Sequence, residues 1–500
     1  MPPENRQYTP MQRQPFHVTL TELSARLAIL NVNDRQQKDP SGSIDGRSVI
    51  KQFEPSSGLI SDFAKVFDVP LPDVLWAFSL IFSPSRDGSC VVASVLREKP
   101  QNQDPRRSLF TLYLMINKGS WSSNDKKYSQ KWQDAVNSAI NENMSDFSDL
   151  WSSLTQNCKK RIEDYVESAK RNMFGVMKEP KMQNPQLVQN CTKTFENIAT
   201  LARSACPSGF YVALNQLLGR IKRDTGPDPE KDLASLTEEC WKFLKKHGDD
   251  FQDLFACLPK RRTASEHTDS LGLRYPERAR LFLQTIENFA KLPRAFNTYL
   301  KFRGVLVSSK SRLEIELLDY SLIAQGDGLP MLSISSVMGM ISKLTTTNVE
   351  DAKDVVRDSE GNNPHCEIQM LEYMDKMKKK SGIWNVIGSS KRQCLACAGL
   401  LRESDFLFKE SHGKAYFQQF ISNGRWLRDN KEMRSAIEKL NAELSKSVRE
   451  NNFEEQEKKM ESVQKKYNEP DSPIRQDWSP DTIRNLDLSK ECDLSHPENI

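Results

Sequence analysis

The stretch NNPHCEIQMLEYMDKMKKKSGIWNVIGSSKRQCLAC, residues 362–397, decides the reading of this chain. Asn363 is suited to cap a helix and Pro364 to open it, which puts His365 and Glu367 in the first turn, with Ile368, Leu371 and Met374 on one apolar side. A Ser-Gly turn and a short apolar strand, Ile383 to Ile387, follow. Ser389 or Ser390 then caps a second helix that holds Cys394 and Cys397. Cysteines three apart at a helix start present both sulfurs on one face, where the helix dipole favours their thiolate form. Zinc can bridge such a pair. A nitrogen of His365, brought alongside by the intervening strand, makes three protein ligands and leaves the fourth tetrahedral position open, as a catalytic site requires. Glu367, two residues from the histidine, is near enough to shuttle protons without binding metal.

The pattern His365-Cys366-Glu367 followed by Cys394-Leu395-Ala396-Cys397 resembles the zinc-dependent cytidine and nucleic-acid deaminases, whose signature is H-x-E and then P-C-x-x-C. The 29-residue step from His365 to Cys394 leaves room for a helix, a turn and a strand. Ser390-Lys391 before the cysteines and His412-Gly413-Lys414 after them look most like the deaminase-like domain common in fungal proteins. The resemblance implies an α/β domain of three layers, α/β/α. It makes His365, Cys394 and Cys397 zinc ligands and Glu367 the proton shuttle, with His412 and Lys414 as candidates on the substrate side. Two departures stand out. Gln393 occupies the place of the usual proline, and no clear hairpin precedes the motif, because GMISKLTTTNVEDAKDVVRD (residues 339–358) reads as helix or loop. Cys366 reads as core, and a histidine beside glycine, as at His412, also suits a solvated turn.

Outward from the motif, the chain of 500 residues is too long for one core. Residues 1–15 are polar and Pro-rich, and residues 16–300 read as an all-helical region. A stripe from Trp132 through Val136, Leu154, Cys158 and Ile162 to Val166 recurs at steps of three and four, and further helices are expected at 185–203, 208–222, 229–257 and 276–300. Periodicity leaves SCVVASVL (89–96) and SLFTLYLMI (108–116) open between strand and buried helix. Residues 301–424 read as the deaminase-like zinc domain, opening with two strands, VLV (305–307) and the alternating Leu313, Ile315 and Leu317. Met433, Ile437, Leu440, Leu444 and Val448 mark a charged amphipathic helix over residues 425–467, and a disordered tail is expected over 468–500. The fold expected is therefore multi-domain, helical first and α/β second.

Ten cysteines in 500 residues are too sparse for a disulfide framework and suit a reducing compartment, cytoplasmic or nuclear. No apolar run is long enough to span a bilayer, so no membrane partner is expected. A net charge of +4 exerts no general pull on nucleic acid. Two functions remain open. One is hydrolytic deamination of a nucleobase in a nucleotide or nucleic acid. The other is a non-catalytic, zinc-stabilised scaffold whose helical region binds protein partners. The oligomeric state stays open with them.

Overall fold

The computed structural model describes residues 10–36, 69–101, 104–140, 147–174, 185–224, 233–257, 275–320, 334–344, 349–358, 364–377, 382–391, 393–402, 404, 406–408 and 424–449. Its centre is a mixed sheet. β1 (Val92–Gln101) and β2 (Asp104–Ile116) form an antiparallel hairpin in which Val92 faces Ile116 and Leu96 faces Leu112. β3 (Arg312–Leu318) runs parallel to β2 on one side. On the other side β4 (Val386–Ser389) pairs antiparallel with β1, Ala93 opposite Ser389, and β5 (Leu407–Phe408) runs parallel to β4. The strand order is β3-β2-β1-β4-β5.

This corrects the expectation of an all-helical region over 16–300, because two of the five strands lie inside it. An antiparallel hairpin lies instead at residues 92–116. Both strands are covered on both faces, so they read as continuous apolar runs and lose the alternation that marks a half-buried strand. A second correction concerns residues 305–307, which lie in a helix, Tyr275–Ser308, and not in a strand. Leu306 continues that helix's buried row of Leu292, Ala295, Tyr299 and Phe302. The helix then ends in a Schellman motif. Lys310 takes a φ of 53°, its N–H donates to Val307 O (3.1 Å), and Ser311 N–H donates to Leu306 O (2.9 Å), which turns the chain straight into β3.

The helices, in chain order, are α1 (Pro10–Gln36), α2 (Leu71–Ile81), α3 (Ser123–Asn137), α4 (Phe147–Asn157), α5 (Lys159–Phe174), α6 (Pro185–Ala205), α7 (Ser208–Asp224), α8 (Leu233–Cys257), α9 (Tyr275–Ser308), α10 (Ile334–Leu344), α11 (Val349–Asp358), α12 (Cys366–Lys376), α13 (Leu395–Arg402), α14 (Gly424–Asp429) and α15 (Lys431–Arg449). Thus α1 begins within the polar, Pro-rich first fifteen residues. Residues 450–500 lie outside the described part.

Alternate residues of each strand enter different cores. Ala93, Val95, Tyr113, Met115 and Ile387 pack in one cluster with residues of α1 and α10 to α15. Val92, Leu96, Phe110, Leu112, Leu114 and Val386 pack in the other with α2, α3 and the C-terminal half of α9. On α15, Met433, Ile437, Leu440 and Leu444 are all buried in the first cluster, and Asn441 bonds Arg26 of α1. A third cluster, with Tyr165, Phe210, Phe251, Phe282 and Phe289, is built from α5 to α9 alone. It lies within the connection from β2 to β3. A parallel pair needs a crossover connection, and here residues 117–311 supply one that carries its own core.

β4 is fixed against α2 by a glycine. A Cβ on Gly388 would stand 2.6 Å from the Leu75 carbonyl carbon and 2.7 Å from Ser94 Oγ. Both neighbours are held, since Ser94 Oγ donates to Leu75 O at 2.9 Å. Gly388→Ala is therefore expected to cost about 3 kcal/mol through overpacking, read as a lowered urea midpoint. Gly339→Ala in α10, where a new Cβ meets nothing within 4 Å, should leave the midpoint unchanged or raise it.

Candidate metal centre

The first ligand is placed by the start of α12. His365 is its N-cap residue, with φ −56° and ψ 145°, and its side chain makes no capping hydrogen bond. Asn363, expected as the cap, lies outside the described residues, and Pro364 precedes the helix instead of opening it. The capping task falls to a residue distant in sequence. Asn117, just past β2, accepts from Cys366 N–H at 2.6 Å through Oδ1 and donates through Nδ2 to Gly88 O at 2.7 Å. The imidazole is thereby left available, and its Nδ1 lies 3.1 Å from Cys397 Sγ and 3.4 Å from Cys394 Sγ.

The two sulfurs come from the start of α13, which begins at Leu395. Cys394 itself acts as the cap, accepting from Cys397 N–H at 3.4 Å through its sulfur. Neither expected serine cap is used. Ser389 ends β4 and donates to Glu367, while Ser390 Oγ accepts from Val92 N–H at 3.1 Å and stitches the strand end to β1. His365, Cys394 and Cys397 form a group whose ligand atoms all lie within 4.8 Å of one another, with both cysteines buried and the histidine half-buried. A tetrahedral zinc with Zn–S near 2.3 Å and Zn–N near 2.05 Å requires N···S separations of about 3.6 Å. The donor set and spacing fit that ion.

Electrostatics support the same reading. The hydrogen bond from Cys397 holds the Cys394 thiol well below its ordinary value and, with the charge of His365, outweighs the opposing effect of burial. Cys397 is pushed well up, first by burial and then by the Cys394 sulfur. Burial pulls His365 down, but the Cys394 charge and hydrogen bond leave it raised. A cation that takes all three ligands displaces the protons they carry.

Glu367 is 3% exposed, and its Oε1 accepts from Ser389 Oγ at 2.8 Å. Its charge acts on both His365 and Cys397. Cys366 lies in the core, its thiol pushed well up by burial and then by Glu367, and its sulfur is directed at Glu367 Oε2 (3.5 Å). It is not one of the three grouped ligands. The structure brings together His365, Glu367, Cys394 and Cys397. His412 and Lys414 lie outside the described residues. Sequence reasoning missed Asn117, whose partner is 249 positions away, and misassigned Ser389, whose place at a strand end looks locally like a helix cap.

Residues 364–420 match the family model described as "OTT_1508_deam:-like deaminase". Neither a curated protein nor a solved structure matches the chain. No helix among the described residues is long and apolar enough to cross a membrane. With the matched segment holding all four site residues, and with a His/Cys/Cys group that fits the zinc-binding deaminase fold, this chain carries a deaminase-like domain.

Proposed function

We propose that the protein is a zinc-dependent hydrolytic deaminase acting on a nucleobase. The observation that carries this is the convergence of His365 Nδ1 with the sulfurs of Cys394 and Cys397, next to a buried Glu367 that is no part of the ligand trio. We read the domain as discontinuous, with β1 and β2 supplying the hairpin and residues 364–424 the remainder. Helices packed on both faces of the sheet support a three-layer α/β/α reading of it.

His365, Cys394 and Cys397 would hold the metal, and zinc, when bound, supplies an open coordination position and Lewis acidity that activates water. The net reaction replaces a ring C–NH2 by C=O, with water consumed and ammonia released. Glu367 takes a proton from the attacking water and returns it to the departing amine. Ser389 holds Oε1 in place for both transfers, and the packing that buries Glu367 keeps bulk water from competing.

A second reading is favoured by one observation. The helical cluster of α5 to α9 has its own core and, among the described residues, contributes no ligand, as a scaffold for protein partners would. The test is ammonia release by the zinc-loaded protein on nucleosides, nucleotides and short single strands containing cytosine or adenine. Turnover of one class supports the deaminase. A zinc-loaded chain that is inert on the whole panel, yet melts at a lower temperature after chelation, supports the scaffold.

A further inference from the structure

We infer that a phosphate group docks beside the metal centre, held by Lys391, Arg86 and the guanidinium of Arg161. This deepens the deaminase reading and rests on it for the nature of the substrate, which would carry a phosphate on its sugar.

Lys391 lies between Ser389, which holds Glu367, and the ligand Cys394. Its charge is felt at His365. Its Nζ donates to Arg86 O, which ties it to the loop following α2. Arg161 comes from α5, in the helical insertion, and is only 3% exposed. It donates to Ser83 O through Nε (3.0 Å), and through Nη2 to Ser83 Oγ (2.5 Å) and Ser85 O (2.7 Å). Arg86 lies over the Tyr165 ring at 5.3 Å and donates to Ser168 Oγ at 2.9 Å.

All these bonds end on neutral oxygens. Among the described residues, no carboxylate lies within ion-pair distance of any of the three cations. Asp87 is the one acidic group on the same loop; its carboxylate accepts from Ser89 N–H at 2.8 Å, and its charge acts on Lys391 from beyond ion-pair distance. Burial, followed by the charges of Arg161 and Arg86, outweighs the pull of Asp87 and holds the Lys391 ammonium below its ordinary value. A buried guanidinium without a counter-charge is costly unless an anion arrives to pair with it. Arg161 Nη1 makes no hydrogen bond to a described residue, so donors remain for that anion. Guanidinium and ammonium groups together suit phosphate, whose oxygens accept charge-assisted hydrogen bonds from both. One side of the site belongs to the insertion, through Arg161 and the Tyr165 and Ser168 contacts of Arg86, which gives the helical unit a part in substrate choice.

The test uses the full-length, zinc-loaded chain and equilibrium binding of inorganic phosphate, cytidine, adenosine, their 5′-monophosphates and a short single strand without terminal phosphate. The monophosphates should bind at least tenfold tighter than the nucleosides, and inorganic phosphate should compete with them. Arg86→Gln and Lys391→Gln should each remove most of that tenfold preference, with zinc per chain unchanged. Arg161 is left in place because it holds the loop. Tight, Arg86-dependent binding of the single strand would identify the phosphate as a diester, and its absence would identify a mononucleotide. Equal affinity for nucleosides and monophosphates, or a preference that survives both substitutions, would overturn the inference. Nucleoside turnover without phosphate preference removes this inference alone, whereas phosphate binding that depends on Arg86 and Lys391 without any turnover removes the deaminase and leaves the anion site.

Discussion

Glu367→Gln should leave about one zinc bound per chain and lower the turnover of any accepted nucleobase by roughly 100- to 10,000-fold, the range for removing a general acid–base group. That loss corresponds to about 3–5.5 kcal/mol of transition-state stabilisation. The substitution is nearly isosteric, and the amide oxygen can still accept from Ser389 Oγ as Glu367 Oε1 does at 2.8 Å. Only the capacity to take and return a proton is removed. Because Glu367 is 3% exposed, exchanging a buried carboxylate for a neutral amide should hold or raise the melting temperature. Metal content, ammonia release and melting temperature check the three parts separately. Full activity in the variant would assign the proton transfers elsewhere, and loss of zinc would make Glu367 a ligand.

Cys394→Ser is expected to have the largest effect on the metal. Cys394 is the trio member whose thiol is held well below its ordinary value, and its sulfur also accepts Cys397 N–H at the start of α13. A serine hydroxyl can replace the cap, which separates helix initiation from ligation. Zinc affinity should fall by more than the roughly 10- to 100-fold typical of losing an outer-shell partner. The stabilisation that bound zinc contributes, about 2.7 kcal/mol at a hundredfold excess over its Kd, should go with it. Chelation of the wild-type protein should reproduce the drop in melting temperature, and chelating the variant should lower it little further. A variant that retains stoichiometric zinc would show that the ion sits elsewhere.

The two substitutions divide the functional readings. The scaffold reading shares the Cys394→Ser result and predicts no turnover for Glu367→Gln to lose. Only the deaminase reading requires a change in chemistry without a change in metal.

How far the site was legible in the sequence follows from the distances involved. His365, Glu367, Cys394 and Cys397 fall within 33 residues, and each pair shares a helix start, so spacing alone predicts shared faces. The helices of the insertion were legible for a similar reason: the three-and-four spacing of residues such as Trp132, Val136, Leu154 and Cys158 is a local signal of a buried face. At residues 305–307 the short apolar run VLV reads locally as a strand, but Leu306 belongs to the buried face of α9.

By itself, then, the sequence determined the grouping of His365, Cys394 and Cys397, the acidic neighbour, the helical periodicity of the insertion and the deaminase-like character of the motif, because each depends on side chains a few positions apart. The tertiary structure alone decided which strands complete the sheet, that Asn117 caps the start of α12, and that Lys391 and Arg161 both bond the loop following α2. Ala93 pairs with Ser389 across nearly 300 residues, and a strand doubly buried in this way presents a uniform apolar run that carries no mark of its partner. Pairing across such distances is selected by the packing of the whole fold, after the local pattern has been satisfied.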